Sequence, residues 1–257
     1  MRSRILSLAF IFSFVLGQNY SLSFDGDDDR VELPSTVLNE LSEFTFGAWF
    51  YPDGNQSGYS NIIQQDGGIY IRYETAENRF KYMLKTGGVV KSILISNPSI
   101  NQWHHIAFTY DGTNIVAYLD GASVGNTTGS GGVFNTNSIY IGNWQTSEGF
   151  NGKIDEIAIW NIALNQTQVQ SHMSTPPNGD EEGLAGYWNF NEGSGTALTD
   201  QTSNDNDGTI YGATWSTDVP PTSQTPCSPP VYTETECYYN GGWWDWNSMQ
   251  CYDCSGG

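Results

Sequence analysis

Lysine and arginine are scarce in this sequence. Nine of them stand against 28 aspartates and glutamates in 257 residues, a formal net charge of −19 at pH 7. Binding nucleic acid requires clustered Lys and Arg to displace counterions, so this balance argues against such a partner. Anionic membranes and strongly sulfated polymers are disfavoured for the same reason, unless a cation bridges the charges. Long apolar runs are missing too: the longest, Ile5 to Val15, falls short of the roughly 20 residues a bilayer-spanning helix needs. Cysteine is absent before Cys227. Helix signals are nearly absent, and no serine nucleophile elbow or H-E-x-x-H zinc motif stands out.

The short apolar run has its own meaning. Arg2 and Arg4 precede it and Val15-Leu16-Gly17 follows it, the layout of a secretory signal peptide. We expect a leader over 1–17, a mature chain starting near Gln18, export to the outside or surface of the cell, and no membrane insertion after cleavage. Most of the remaining acidity is then read as solubility.

Residues 18–216 read as one all-β unit. Leu22 and Phe24 alternate with Ser21 and Ser23; Phe44, Phe46, Ala48 and Phe50 share a face; so do Ile106, Phe108 and Tyr110, and Val116 and Tyr118 extend the alternation. Asp111-Gly112 and Asp120-Gly121 are two-residue hairpin signals suited to type I′ turns. Many short strands joined this way indicate a sandwich or barrel. Asn165 to Gln170 has the chemistry of one or two helical turns capped by Asn165, and Pro176-Pro177 prevents continuation. Residues 217–226 form a Pro/Ser/Thr-rich linker. The tail, 227–257, holds Cys227, Cys237, Cys251 and Cys254. Outside the cytoplasm an even count implies two disulfides of open pairing, with a zinc site as the alternative. The chain stops soon after Cys254, which raises the expectation of a piece of a longer protein.

Several motifs, taken in order, carry a resemblance. They are Tyr20 to Gly26 with Asp29 to Pro34, Phe44 to Phe50, Trp103 to Gly112 with Tyr118 to Gly121, and Ile141-Gly142 with Phe150 to Leu164. Together they resemble laminin-G-like domains of the concanavalin A-like superfamily. The resemblance implies a two-sheet antiparallel jelly-roll sandwich that often holds a calcium ion. One motif is displaced: Gly186 to Gly195 followed by Asn206 to Ile210, which usually precedes the first strand. It either closes this sandwich from the C-terminal side, which we expect, or opens a second domain.

Laminarinase-like hydrolases of the same superfamily set Glu-x-Asp-x-x-Glu on one strand, so that two carboxylates flank the scissile bond. Here Lys153 occupies the first acidic position, adjacent Asp155 and Glu156 point to opposite faces, and no acid follows at 158 or 159. No catalytic residues are assigned. His104 and His105 are likewise neighbours on opposite faces and cannot chelate one ion together. A structural Ca²⁺ is expected instead. Asp155 shares a face with Ile157 and Ile159, and Asp25-Gly26 ends the first strand. Asp29 or backbone carbonyls complete an oxygen shell of the kind Ca²⁺ prefers. The competing explanation has Asp25 and Asp155 capping turn amides. Trp49, Trp144 and Trp160 are read as mainly core. In the tail, Trp243-Trp244-Asp245-Trp246 sits in a loop too small to bury three indoles, leaving ligand contact or packing on the sandwich.

Three functions compete: a non-catalytic module binding a glycan or extracellular protein in adhesion or targeting, a polysaccharide-active enzyme, and a structural fragment of a larger adhesin. The missing acid pattern favours the first.

Overall fold

The computed structural model describes residues 19–38, 41–54, 56–133, 136–144 and 148–221, with the backbone of 243–245 and 250–252. The strands are β1 (Ser21–Asp25), β2 (Arg30–Leu33), β3 (Phe44–Pro52), β4 (Tyr59–Gln65), β5 (Ile69–Glu74), β6 (Arg79–Thr86), β7 (Val89–Ile95), β8 (His104–Tyr110), β9 (Asn114–Leu119), β10 (Ala122–Thr128), β11 (Ile139–Ile141), β12 (Asn151–Trp160), β13 (Leu184–Trp188), β14 (Ala197–Leu198), β15 (Gly208–Tyr211) and β16 (Thr214–Ser216). One helix, α1 (Gln166–Ser174), follows β12.

Two eight-stranded antiparallel sheets result. The first runs β10-β9-β8-β3-β12-β1-β16, with β13 also paired to β12; the second runs β14-β15-β2-β11-β4-β5-β6-β7. Residues 184–216 supply strands to both: β13 pairs with β12, β15 with β2 and β16 with β1. The displaced motif therefore closes this sandwich rather than opening another.

The alternation seen in the sequence builds the core. Phe44, Phe46, Ala48 and Phe50 of β3 and Ile106, Phe108 and Tyr110 of β8 all lie in the main cluster. Rings bridge the sheets: Phe50 stacks on Phe80 at 5.8 Å between centroids and Tyr82 on Phe108 at 5.8 Å. Each such side chain, fully buried, contributes about 1.5–3 kcal/mol. On β9 the inward positions are Ile115 and Ala117. Val116 and Tyr118 face the other way, into a smaller cluster with Trp160 and with Val169 of α1. The helix thus roofs the outer face of the first sheet. It is longer than the one or two turns expected, and Asn165 and Gln168 form a reciprocal capping box at its start.

The two Asp-Gly signals part company. At Asp120-Gly121 both φ angles are positive, 50° and 72°, and Leu119 pairs directly with Ala122, the expected two-residue type I′ turn. At Asp111-Gly112 only the glycine has positive φ. Tyr110 pairs with Ile115, and Asp111 Oδ1 accepts from the amides of Thr113 and Asn114. The loop there is longer and held by an aspartate side chain.

Candidate functional site

The outer face of the second sheet gathers chemistry that its sequence spreads over six strands. In β5, Ile69, Ile71 and Tyr73 point into the core, so Tyr70, Arg72 and Glu74 face outward. Registers then align Glu32, Tyr140, Gln64, Tyr70, Met83 and Ser92 in a row across β2, β11, β4, β5, β6 and β7. At about 4.8 Å per strand the row is about 25 Å long. Gln64 lies between two tyrosines; it is 6 % exposed, and its carbonyl oxygen has no hydrogen-bond partner. Asn61 opposes Arg72 on the next row; its amide donates to Glu148 at 2.7 Å, and its carbonyl oxygen is also without a partner.

Arg72, on the row beside Tyr70, is held by two rings and a carboxylate. Its guanidinium lies 3.9 Å from the Tyr59 ring centroid and 4.1 Å from that of Tyr70. Arg72, Arg79 and Lys81 all approach the carboxylate of Glu74, at 2.9, 2.5 and 3.4 Å. Burial pushes the Glu74 carboxyl up, but hydrogen bonds from Arg72 and Arg79 and the charge of Lys81 outweigh it, holding the group below the usual range. Sequence reasoning missed this face. The alternation Ile69-Tyr70-Ile71-Arg72-Tyr73 was the available signal, but the cross-strand neighbours follow only from register.

The second constellation lies at the end of β1. Asp25, Asp28 and Asp29 each place a carboxylate oxygen within 4.8 Å of the others. Asp29 Oδ2 accepts from the Asp25 amide at 2.9 Å, and Asp25 Oδ1 from the Asp27 amide at 2.9 Å. Burial raises the Asp29 carboxyl, as does repulsion from Asp25, Asp28 and Asp27, while the Asp25 amide lowers it. A Cβ on Gly212, at φ +79°, would sit 2.1 Å from Asp29 Oδ1, so that position must be glycine for the loop to pack as it does. Asn143 is 2 % exposed and donates to the Asp27 carbonyl, while its own Oδ1 has no partner. Clustered oxygens, a carboxyl destabilised by its neighbours and an orphaned amide oxygen fit a hard divalent cation such as Ca²⁺. Asp25 and Asp29 were expected there, and Gly26 shapes the turn with φ 85°. Asp28 and Asn143 were not anticipated.

Asp155 is not brought to this cluster. Asp25 pairs with Asn151, four residues earlier on β12, or about 13 Å along an extended strand. The pairing of β12 with β3 slips between Asp155 and Ala158, and Glu156 takes φ 53°. That β-bulge inserts one residue, so Ile154 and Ile157 both reach the core while Asp155 leaves the face shared by Ile157 and Ile159. Asp155 Oδ1 accepts from the Glu156 amide at 2.8 Å, and Glu156 accepts from the Tyr187 hydroxyl. The same bulge spoils the opposite-faces expectation for this pair: Asp155 is 0 % and Glu156 8 % exposed.

The two histidines do face opposite ways. His104 packs on Phe50 and bonds Asp120 at 2.8 Å, while His105 packs edge-on to Trp49. His105 lines a small cleft with Trp49, Glu156, Trp160 and His172 beneath the Pro176-Pro177 segment. Trp49 and Trp160 are buried, as expected. Gly121-Ala122-Ser123-Val124-Gly125 has the spacing of a nucleophile elbow, which the sequence reading overlooked. It lies in an edge strand after a hairpin and leads into no helix, so it lacks the strand-turn-helix geometry the motif requires. The expectations for the 1–17 leader, for Cys227, Cys237 and Cys254, for the Cys251 side chain and for Trp246 lie outside the described residues. So do the side chains of Trp243 and Trp244, whose backbone pairs with Tyr252 and Cys251.

Comparison with known proteins places these features in a family. The chain is 25% identical over 179 residues to pappalysin-1 of Mus musculus, a match covering 60% of this chain and 11% of the relative. The chain thus spans only about a tenth of that protein's length. The structure of a candidate carbohydrate-binding protein from Bacteroides ovatus ATCC 8483 superposes with a TM-score of 0.65 at 22% identity, covering 78% of this chain and 60% of the other. The heptameric SAP-like pentraxin of Limulus polyphemus superposes with a TM-score of 0.50 at 15% identity, covering 76% and 96%. The family model described as the Concanavalin A-like lectin/glucanases superfamily matches residues 25–170. With that match over more than half its length, in the two-sheet architecture described above, the chain belongs to the concanavalin A-like lectin/glucanase superfamily.

Proposed function

We propose that this protein is an exported, non-catalytic glycan-binding module acting in adhesion or targeting. The observation that carries the proposal is the row Tyr140, Gln64, Tyr70 with the clamped Arg72 on the outer face of the second sheet. Flat rings suit the C–H faces of sugars, and a buried amide oxygen without a partner suits a hydroxyl. Catalysis is disfavoured on β12. Lys153 pairs with Asp218 at 3.1 Å, Asp155 caps a backbone amide, and Glu156 is engaged by Tyr187; two-carboxylate hydrolysis needs both acids open to substrate. A Ca²⁺ held by Asp25, Asp28, Asp29 and Asn143 is proposed as a staple between the β1–β2 loop and the segment after β11.

A glycan array probed with the purified protein tests the function. Binding of defined oligosaccharides, lost in Tyr70→Ala and Gln64→Ala variants that melt like wild type, is the expected result. Release of reducing ends from any bound polysaccharide would overturn the non-catalytic assignment. Binding only to extracellular proteins would replace the glycan by a protein partner. Intact mass of the exported protein tests the leader: a product beginning near Gln18 is expected.

A further inference from the structure

Basic residues are not only few here but concentrated. Residues 69–95 hold Arg72, Arg79, Lys81, Lys85 and Lys91 against Glu74 and Glu77. Strands β5 to β7 are therefore a cationic island on a molecule of net charge −19. The register makes this island a surface. Arg72 and Lys81 pair across β5 and β6, and Lys85 lies four residues further along β6 on the same outward face. Three of these cations share the single carboxylate of Glu74, so the network keeps an excess of positive charge. Lys85 is exposed and forms no ion pair among the described residues. Glu77 lies beside Arg79 and Glu148 bonds Asn61 at the Tyr59 end of the island; at the other end the Lys85 amide bonds the Gly68 carbonyl, in the turn that also carries Asp66.

Resting on the proposed glycan-binding function, we infer that this end of the row recognises the carboxylate of an acidic sugar. The Tyr70 ring carries Arg72 at 4.1 Å and Lys81 at 5.3 Å from its centroid, so a sugar stacked along this row meets ring and cations together, and Met83 lies beside it on β6. The ligand class is a glycan whose carboxylates are spaced by neutral sugars. A densely sulfated polymer would carry its charge beyond the island onto acidic surface, where repulsion opposes it. A sparse uronate places one anion on the cations and neutral rings along Tyr70, Gln64 and Tyr140.

The test is isothermal titration of the purified protein with hexasaccharides containing glucuronate, galacturonate or mannuronate. Each is measured beside its carboxyl-reduced neutral counterpart and beside a heparin hexasaccharide. At least one uronate hexamer should bind about tenfold or more tighter than its neutral counterpart and than heparin. That preference should shrink as salt rises from about 0.01 M to about 1 M, where the screening length falls from about 30 Å to about 3 Å. The Lys81→Gln/Lys85→Gln double variant should lose the preference while melting with the wild type. If that variant fails to fold, Lys85→Gln alone, at an exposed position, should weaken it. Neutral hexamers binding as tightly as uronates, or heparin binding more tightly than both, would overturn the inference and leave the glycan-binding function standing. If no sugar of the panel or of the array binds, both fall.

Discussion

At the residue scale, burial constrains the charge state of His105. Burial pushes its imidazole down to about 4; His172 pushes the same way, and Asp120 opposes both. In the unfolded chain the same group titrates near 6.5. Below that pH the unfolded state takes up a proton that the folded state refuses, so stability is full above about 6.5 and falls as pH drops toward about 4. The gap is worth about 3 kcal/mol. Urea unfolding measured from pH 7 to pH 4 should show this slope, and His105→Gln should flatten most of it. An unchanged slope in the variant would assign the loss elsewhere.

Asp155 and Asp28 make a second residue-scale contrast. A cation present at a hundredfold excess over its Kd adds about 2.7 kcal/mol, and a domain near this size gains about 2–4 °C in Tm per kcal/mol. Calcium should therefore raise the melting temperature by about 5–10 °C. Asp28→Asn should melt at the same temperature with and without it. Asp155→Asn, remote from the cluster by strand register, should keep the full calcium increment. Retention of the increment in Asp28→Asn would remove the site. The sequence made Asp25 and Asp29 visible because they flank a strand end and its turn. It hid Asp28, and it hid Asn143, whose amide reaches the Asp27 carbonyl only when the loops after β1 and β11 pack together. It misplaced Asp155 because no local signal marks the bulge at Glu156.

At the element scale, strand faces were legible where alternation is uninterrupted, as in β3 and β8, and illegible where a strand carries apolar residues on both faces. β9 and β12 are of that second kind: one face meets the core and the other meets α1. A nine-residue helix of low propensity depends on its cap and on Val169. Asn165 accepts from the Gln168 amide at 3.1 Å while Gln168 Oε1 accepts from the Asn165 amide at 2.9 Å. Asn165→Ala should cost about 1 kcal/mol, a fall of about 2–4 °C in Tm. An unchanged melting curve would mean the helix is secured by packing alone.

At the scale of the whole molecule, the family match and the structural unit have different ends. The match covers residues 25–170, yet Trp188, Phe190, Leu198 and Ile210, all in the main core, come later in the chain. A fragment of 25–170 would also leave β2 without β15 and lack most of β1 together with β16. We expect residues 19–216 to unfold in one cooperative transition and residues 25–170 to aggregate or melt without one. A sharp transition in the short fragment would show that the C-terminal strands are dispensable.

The pairing of β1 with β16 has a mechanical consequence. Ser21 lies opposite Ser216, and Ser21 Oγ donates to the Asp218 carbonyl at 2.7 Å. The chain therefore enters and leaves the sandwich side by side, and a pull on its two ends acts on one spot. Load applied that way opens the two strands like a zipper, one rung after another, instead of shearing several rungs at once. Such a domain yields at low force when strung in series within a filament, and it is hardly stressed when it hangs as a side branch or at the tip of a tether.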